Sequence, residues 1–294
     1  MKPFLYRLVT VFLLLCAACT EAEIVLPGSG GDEPEEGVPF RVKNLGMWME
    51  VESRSVVTGG PGETNRNPNP LTGIGICVTK QNSSGTEILY NNAVGSQQFV
   101  YNPAGSPPLW ELAEGEEMLL LYSEKGTVYG YAPAEKSVSL AGIPKALLMN
   151  GIKVLDEQKF YFSDGSATVN AATDVQWETD QEDYLYCTAA DQVDRWHPEV
   201  SLTMNHALAK VSFRVLEVNA GSSFAGCRLA KIVLKSNGGF KKSVAAQLNL
   251  ATGETTGAIT PVDQLQFTAG GDKRVVGTGT EETSEVPVQA FGLV

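Results

Sequence analysis

The plainest pattern along this chain is an alternation of apolar and polar residues with a period of two. In Lys210-Val211-Ser212-Phe213-Arg214-Val215, the residues Val211, Phe213 and Val215 fall on one face and Lys210, Ser212 and Arg214 on the other, as in a strand with one packed and one wetted side. Burying three such side chains at ~1.5 to 3 kcal/mol each fixes the register firmly. Short runs rich in β-branched and aromatic residues recur at 40–51, 74–80, 98–101, 117–122, 127–131 and 159–162. A second series follows at 200–204, 209–218, 228–235, 246–250, 264–267 and 285–291. Turn formers separate the runs, as in Gly59-Gly60-Pro61-Gly62, Asn67-Pro68-Asn69-Pro70, Asn82-Ser83-Ser84-Gly85 and Asn102-Pro103-Ala104-Gly105. Helical candidates are few, and 143–155 is interrupted by Gly151 and has no strong cap. The pattern predicts an all-β protein of two tandem β-sandwiches, residues 40–195 and 196–294, joined across 191–198.

The first residues follow a different rule. Lys2 and Arg7 precede an apolar run at 8–15, and Cys16-Ala17-Ala18-Cys19 comes next, which is the order of a secretory signal. The run is about half the ~20 residues needed to span a bilayer as a helix. Small residues ahead of Cys19 resemble the lipobox of bacterial lipoproteins, with Cys16 standing where an aliphatic residue is usual. Residues 1–19 are therefore expected to be a lipoprotein signal peptide ending at a lipidated cysteine, Cys19. Residues 20–39 hold Pro27, Pro34, Pro39 and the acids Asp32, Glu33, Glu35 and Glu36, too little apolar surface to fold, and are expected to be a flexible tether. Glu21 and Glu23 resemble the acidic export signal of some surface lipoproteins.

Composition narrows the function. Loss of the signal removes Lys2 and Arg7, so 22 basic residues become 20 against 34 acidic ones, a formal charge of −14, and such a chain repels nucleic acid. With 43% hydrophobic residues the chain can build a real core. Apart from Cys16 and Cys19, the cysteines are Cys77, Cys187 and Cys227; three cannot all pair with one another, and the sequence does not choose a pair.

Catalytic motifs are missing. There are two histidines, His197 and His206, and no HExxH, CxxC pair, GxSxG, Walker loop or EF-hand ladder. Glu178, Asp180, Glu182 and Asp183 could gather a hard cation, but their spacing matches no known loop, and a solvated acidic turn is the expectation. Glu114, Glu116 and Glu117 are read as hairpin surface. No cofactor, metal or enzymatic activity is expected. The tryptophans Trp110, Trp177 and Trp196 are either core plugs or stacking surfaces.

Several segments, in order, resemble the fimbrillin family of type V pilus subunits and their lipoprotein relatives. They are Ser53-Arg54-Ser55-Val56-Val57-Thr58-Gly59, Ile74-Gly75-Ile76-Cys77-Val78, Thr127-Val128-Tyr129-Gly130-Tyr131-Ala132-Pro133, Asp183-Tyr184-Leu185-Tyr186 and His206-Ala207-Leu208-Ala209-Lys210-Val211-Ser212-Phe213. The resemblance implies two transthyretin-like β-sandwiches, display at the cell surface as an outer-membrane lipoprotein, and incorporation into a fimbrium. It also implies assembly by protease-triggered strand exchange with other fimbrillin-like subunits, with Arg54 the processing point and 40–51 the removable strand. Arg54 as an ordinary exposed arginine is the alternative. The chain stops at Ala290-Phe291-Gly292-Leu293-Val294, inside an expected strand, so the second sandwich is expected to lack terminal strands. A monomeric surface lipoprotein binding a glycan or a host protein is the second functional reading.

Overall fold

Strands account for every regular element among the residues that the computed structural model describes, which are 35–47, 71–105, 110–142, 145–162, 177–217, 230–269, 277–278 and 288–293. In chain order they are β1 (Val38–Pro39), β2 (Arg41–Met47), β3 (Gly73–Gln81), β4 (Glu87–Leu89), β5 (Ser96–Tyr101), β6 (Trp110–Leu112), β7 (Leu120–Leu121), β8 (Thr127–Ala132), β9 (Val138–Ala141) and β10 (Ala146–Val154). The series continues with β11 (Glu157–Phe162), β12 (Trp177–Thr179), β13 (Leu185–Thr188), β14 (Glu199–His206), β15 (Lys210–Glu217), β16 (Lys231–Asn249), β17 (Thr255–Ala269), β18 (Gly277–Thr278) and β19 (Val288–Leu293). The all-β expectation holds, and the helical candidate 143–155 lies mostly in β10. There Leu147 and Met149 are buried with less buried residues between and beside them, a period of two rather than 3.6, and Ile152 follows after a register shift between Asn150 and Ile152.

An eight-stranded sheet runs β2-β14-β13-β8-β3-β5-β6, with β4 beside β3, and a six-stranded sheet runs β12-β11-β17-β16-β10-β9. One face of the larger sheet carries the first core, built on Ile74, Ile76, Val78, Phe99, Val128, Leu185, Val200 and Leu202 and closed by Leu119 and Leu121. Cys77, Tyr129, Tyr131 and Tyr184 belong to a second core, shared with Leu147, Met149, Ala246, Leu248 and Leu250 of the smaller sheet. β3 and β8 are thus covered on both faces, which is why β3 reads as a nearly continuous apolar run rather than an alternation. A third, smaller core gathers Phe213, Ile232, Leu234 and Phe240 around Leu265 and Phe267, with the Phe213 and Phe267 rings 5.5 Å apart.

Two glycines let aromatic and sulfur atoms lie flat on the central strands. A Cβ on Gly75 would fall on the ring of its cross-strand neighbour Tyr131, and one on Gly130 would sit 2.8 Å from Cys187 Sγ. Glycine admits that close approach where any other residue would push the layers apart.

The chain crosses the expected junction without leaving its sheet. β13 before it and β14 after it are antiparallel neighbours, and between them Val193 bridges Gly126 while Asp194 bridges His197. Conversely, β9 to β12 share the six-stranded sheet with β16 and β17. β14, expected as a strand at 200–204, shows a clean alternation, with Val200, Leu202 and Met204 buried and Glu199, Ser201 and Thr203 exposed.

Candidate functional site

The first described strands are held in a way that sets them apart. β1 pairs with β7, and β2, at the end of the eight-stranded sheet, pairs parallel with β14 through Val200↔Val42, Leu202↔Leu45 and Met204↔Met47. Phe40, between the two, donates its amide to the Leu119 carbonyl at 2.9 Å, and Arg41 donates to that of Pro198 at 2.9 Å. Phe40 and Val42 are both 0% exposed, and the Phe40 ring meets Phe99 edge-on at 5.9 Å. The register slips between Val200 and Ser201, where Lys43 is the extra residue on β2. Lys43 Nζ lies 3.9 Å from Glu199, an exposed pair worth little.

Phe40, Val42 and Leu45 therefore belong to one apolar cluster with Phe99, Val200, Leu202, Met204, Leu119 and Leu121. The holding forces are a backbone ladder and buried apolar anchors, both available to any strand of like pattern. Cys19 and Arg54, the expected lipidation and processing residues, lie outside the described residues, as do 48–51 of the expected removable strand.

Other candidates are dispersed. Asp183 pairs with His206 at 3.0 Å, both largely buried beside the β13–β14 ladder. Glu182 holds Lys136 at 2.6 Å, and the Lys136 ammonium lies 5.4 Å from the Tyr184 ring centre. Asp180 accepts the Lys159 amide at 2.6 Å. The buried Gln181 between them accepts the Leu155 amide and donates to the Lys153 and Glu182 carbonyls, each at 2.8 Å. That amide network ties β10 to the loop before β13, and nothing in the sequence pattern marked it. Among the described residues no three acidic, histidine or cysteine side chains converge as a metal site would require. Glu114, Glu116 and Glu117 lie on the turn after β6, where Glu116 closes back on Ala113 and the Glu117 carbonyl accepts from the buried Gln97 side chain.

Cys77 and Cys187 are free, buried and in different cores, on opposite faces of the same sheet. Burial pushes each thiol up to about 12. Cys227 lies outside the described residues. Trp110 is a core residue whose ring lies tilted by 58° against that of Tyr101, their centres 5.6 Å apart, and the Trp177 side chain is outside the described residues. Trp196 is 64% exposed. A cleft of about 280 Å³ lined by Val154, Leu208, Phe240, Ile259 and Leu265 separates the second and third cores.

No curated protein sequence matches the chain. Among solved structures, one described as a candidate cell adhesion protein from Bacteroides ovatus ATCC 8483 is similar at 16% identity over 88% of this chain and 78% of that one, with a TM-score of 0.44. A second, described likewise and from Bacteroides uniformis ATCC 8492, is similar at 14% identity over 76% of this chain and 67% of that one, with a TM-score of 0.37. The profile of the fimbrillin-like family matches residues 64–287, and the chain belongs to that family.

Proposed function

We propose that this chain is a structural component of surface fimbriae, exported as a lipoprotein through Cys19 and assembled with other fimbrillin-like subunits by exchange of its N-terminal strand. Family membership supports a pilus-related role at the cell surface. The observation that carries the mechanism is the seating of two fully buried side chains, Phe40 just before β2 and Val42 on it, where β2 ends the eight-stranded sheet and has β14 as its ladder partner among the described residues. Removing residues 38–47 would bare one flank of β14 and an apolar trough, and a strand donated by a neighbouring subunit would satisfy both.

Cleavage after Arg54 releases all of β1 and β2. Cleavage at Arg41, the first residue of β2, would leave the rest of that strand in its trough, so Arg54 is the site that fits exchange. The test is intact-mass and N-terminal analysis of protein recovered from the cell surface, before and after an arginine-specific protease. A mature chain beginning at Ser55, together with SDS-resistant multimers, supports exchange. A chain that still begins at acylated Cys19 overturns it.

A further inference from the structure

Trp196 is the most exposed aromatic among the described large apolar residues, and the turn that carries it is pinned by hydrogen bonds. The Asp194 carboxylate accepts the Trp196 amide at 2.9 Å and the His197 amide at 2.8 Å, and it meets His197 Nδ1 at 3.0 Å. The His197 amide also reaches the Asp194 carbonyl at 3.1 Å, and Arg195 donates its amide to the Tyr122 carbonyl at 2.8 Å. Both feet of the turn are thereby fastened, through Val193 to Gly126 on one side and through β14 on the other. Desolvation opposes ionisation of Asp194, yet the amide and ring of His197 and the amide of Trp196 outweigh it and hold the carboxyl below its ordinary range.

We propose that Trp196 is a stacking platform for one neutral pyranose ring of a glycan. The face of an indole is negative and the axial C–H bonds on one side of a pyranose are positively polarised, so the two stack. The Arg195 guanidinium lies over one face of the Trp196 ring, 5.7 Å from its centre, which leaves the opposite face for the sugar, and the next residue, His197, has a side chain that is 77% exposed; such groups donate to the hydroxyls of a sugar. A protein partner fits less well. A stable protein interface buries ~1,200 Å² or more around a central apolar cluster, whereas the chain on either side of this indole carries Asp191, Asp194, Arg195, His197 and Glu199. Those acids and the formal charge of −14 left without Lys2 and Arg7, 20 basic residues against 34 acidic ones, also disfavour anionic sugars.

The proposal rests on the surface-adhesion reading and names its ligand class. A single ring gives weak binding that repeated subunits would multiply by avidity. The test uses residues 19–294 with Cys19→Ser and three probes: tetra-N-acetylchitotetraose, maltotetraose and lacto-N-tetraose, read by the indole N–H resonances and assigned with Trp196→Phe. At least one probe is expected to shift the Trp196 resonance saturably, with a dissociation constant of ~1 mM or tighter, and Trp196→Ala to weaken binding about tenfold or more without lowering the melting temperature. Asp194→Asn, which keeps the ring but loosens the turn, is expected to weaken it about threefold. Silence of all three probes at ~20 mM, or unchanged binding by Trp196→Ala, overturns the proposal. So does a concentration-dependent Trp196 shift in the absence of sugar, which would mean that a second copy occupies this face. The titration needs no processing or assembly, so it fails independently of the N-terminal analysis.

Discussion

Buried thiols in an exported chain are a chemical statement about where reactivity is withheld. Cys77 lies against Tyr129 and Tyr131 in the second core, and Cys187 lies over Gly130 in the first. Desolvation is the leading cause that pushes both up to about 12, from the ordinary 9.0 of a thiol. Since the thiolate is the reactive form, neither residue should be alkylated in the native protein at pH 8, and both should be in urea, as read by peptide mass mapping. The same shift makes stability pH-dependent. Folded values above the unfolded ones contribute stability that is whole below about 9 and is lost as pH rises toward about 12, at up to about 1.4 kcal/mol per pH unit and per thiol. Tyr129, Tyr131 and Tyr184, raised chiefly by burial, act in the same direction. Urea midpoints measured at pH 8 and pH 10.5 should therefore fall for the parent chain and fall less for Cys77→Ala with Cys187→Ala; an equal fall would remove the thiols from the account.

At the scale of elements, β2 shows what alternation can and cannot reveal. The run at 40–51 is visibly strand-like, and its start is where the structure places Phe40 and Val42 at 0% exposure. That the strand ends a sheet, runs parallel to β14 and carries a bulge at Lys43 depends on partners some 150 residues away in the chain, which no local pattern encodes. β14 was legible because one of its faces meets water; β3 was legible as a strand but not in its facing, because both faces are buried. β9 was missed, and β10 lies wholly inside the helical candidate 143–155. Their apolar positions, Val138, Leu140, Leu147 and Met149, do alternate, but the glycines and polar residues among them weaken the signal. If burial rather than charge seats β2, Phe40→Ala should destabilise the full chain by about 3 to 5 kcal/mol, and Lys43→Ala by no more than about 0.5. Urea denaturation reads both, and a near-neutral Phe40→Ala would show that the strand is not held by its anchor.

For the molecule as a whole, the three cores are unequal in a way that bears on assembly. The first core surrounds β3 and β8 from one side and the second from the other, while in the third only Leu265 and Phe267 are fully buried among the described residues. The β16–β17 hairpin is common to the last two, with Leu248 in the second core and Ile232 and Leu234 packed on the third. Because local opening follows the apolar surface that must be exposed, protection should descend in that order. Backbone amides of Ile76, Val78 and Val128 should exchange with solvent only through global unfolding. Amides of β15 and β19, whose ladder runs from Lys210↔Leu293 to Val215↔Val288, should exchange through smaller openings and at least an order of magnitude faster, a gap of about 1.4 kcal/mol. Uniform protection across β3, β8 and β15 would mean that the third core is already as closed as the others and offers an added strand nothing to complete. Graded protection would mark the β15 region as the part of the fold that gains most from a neighbour.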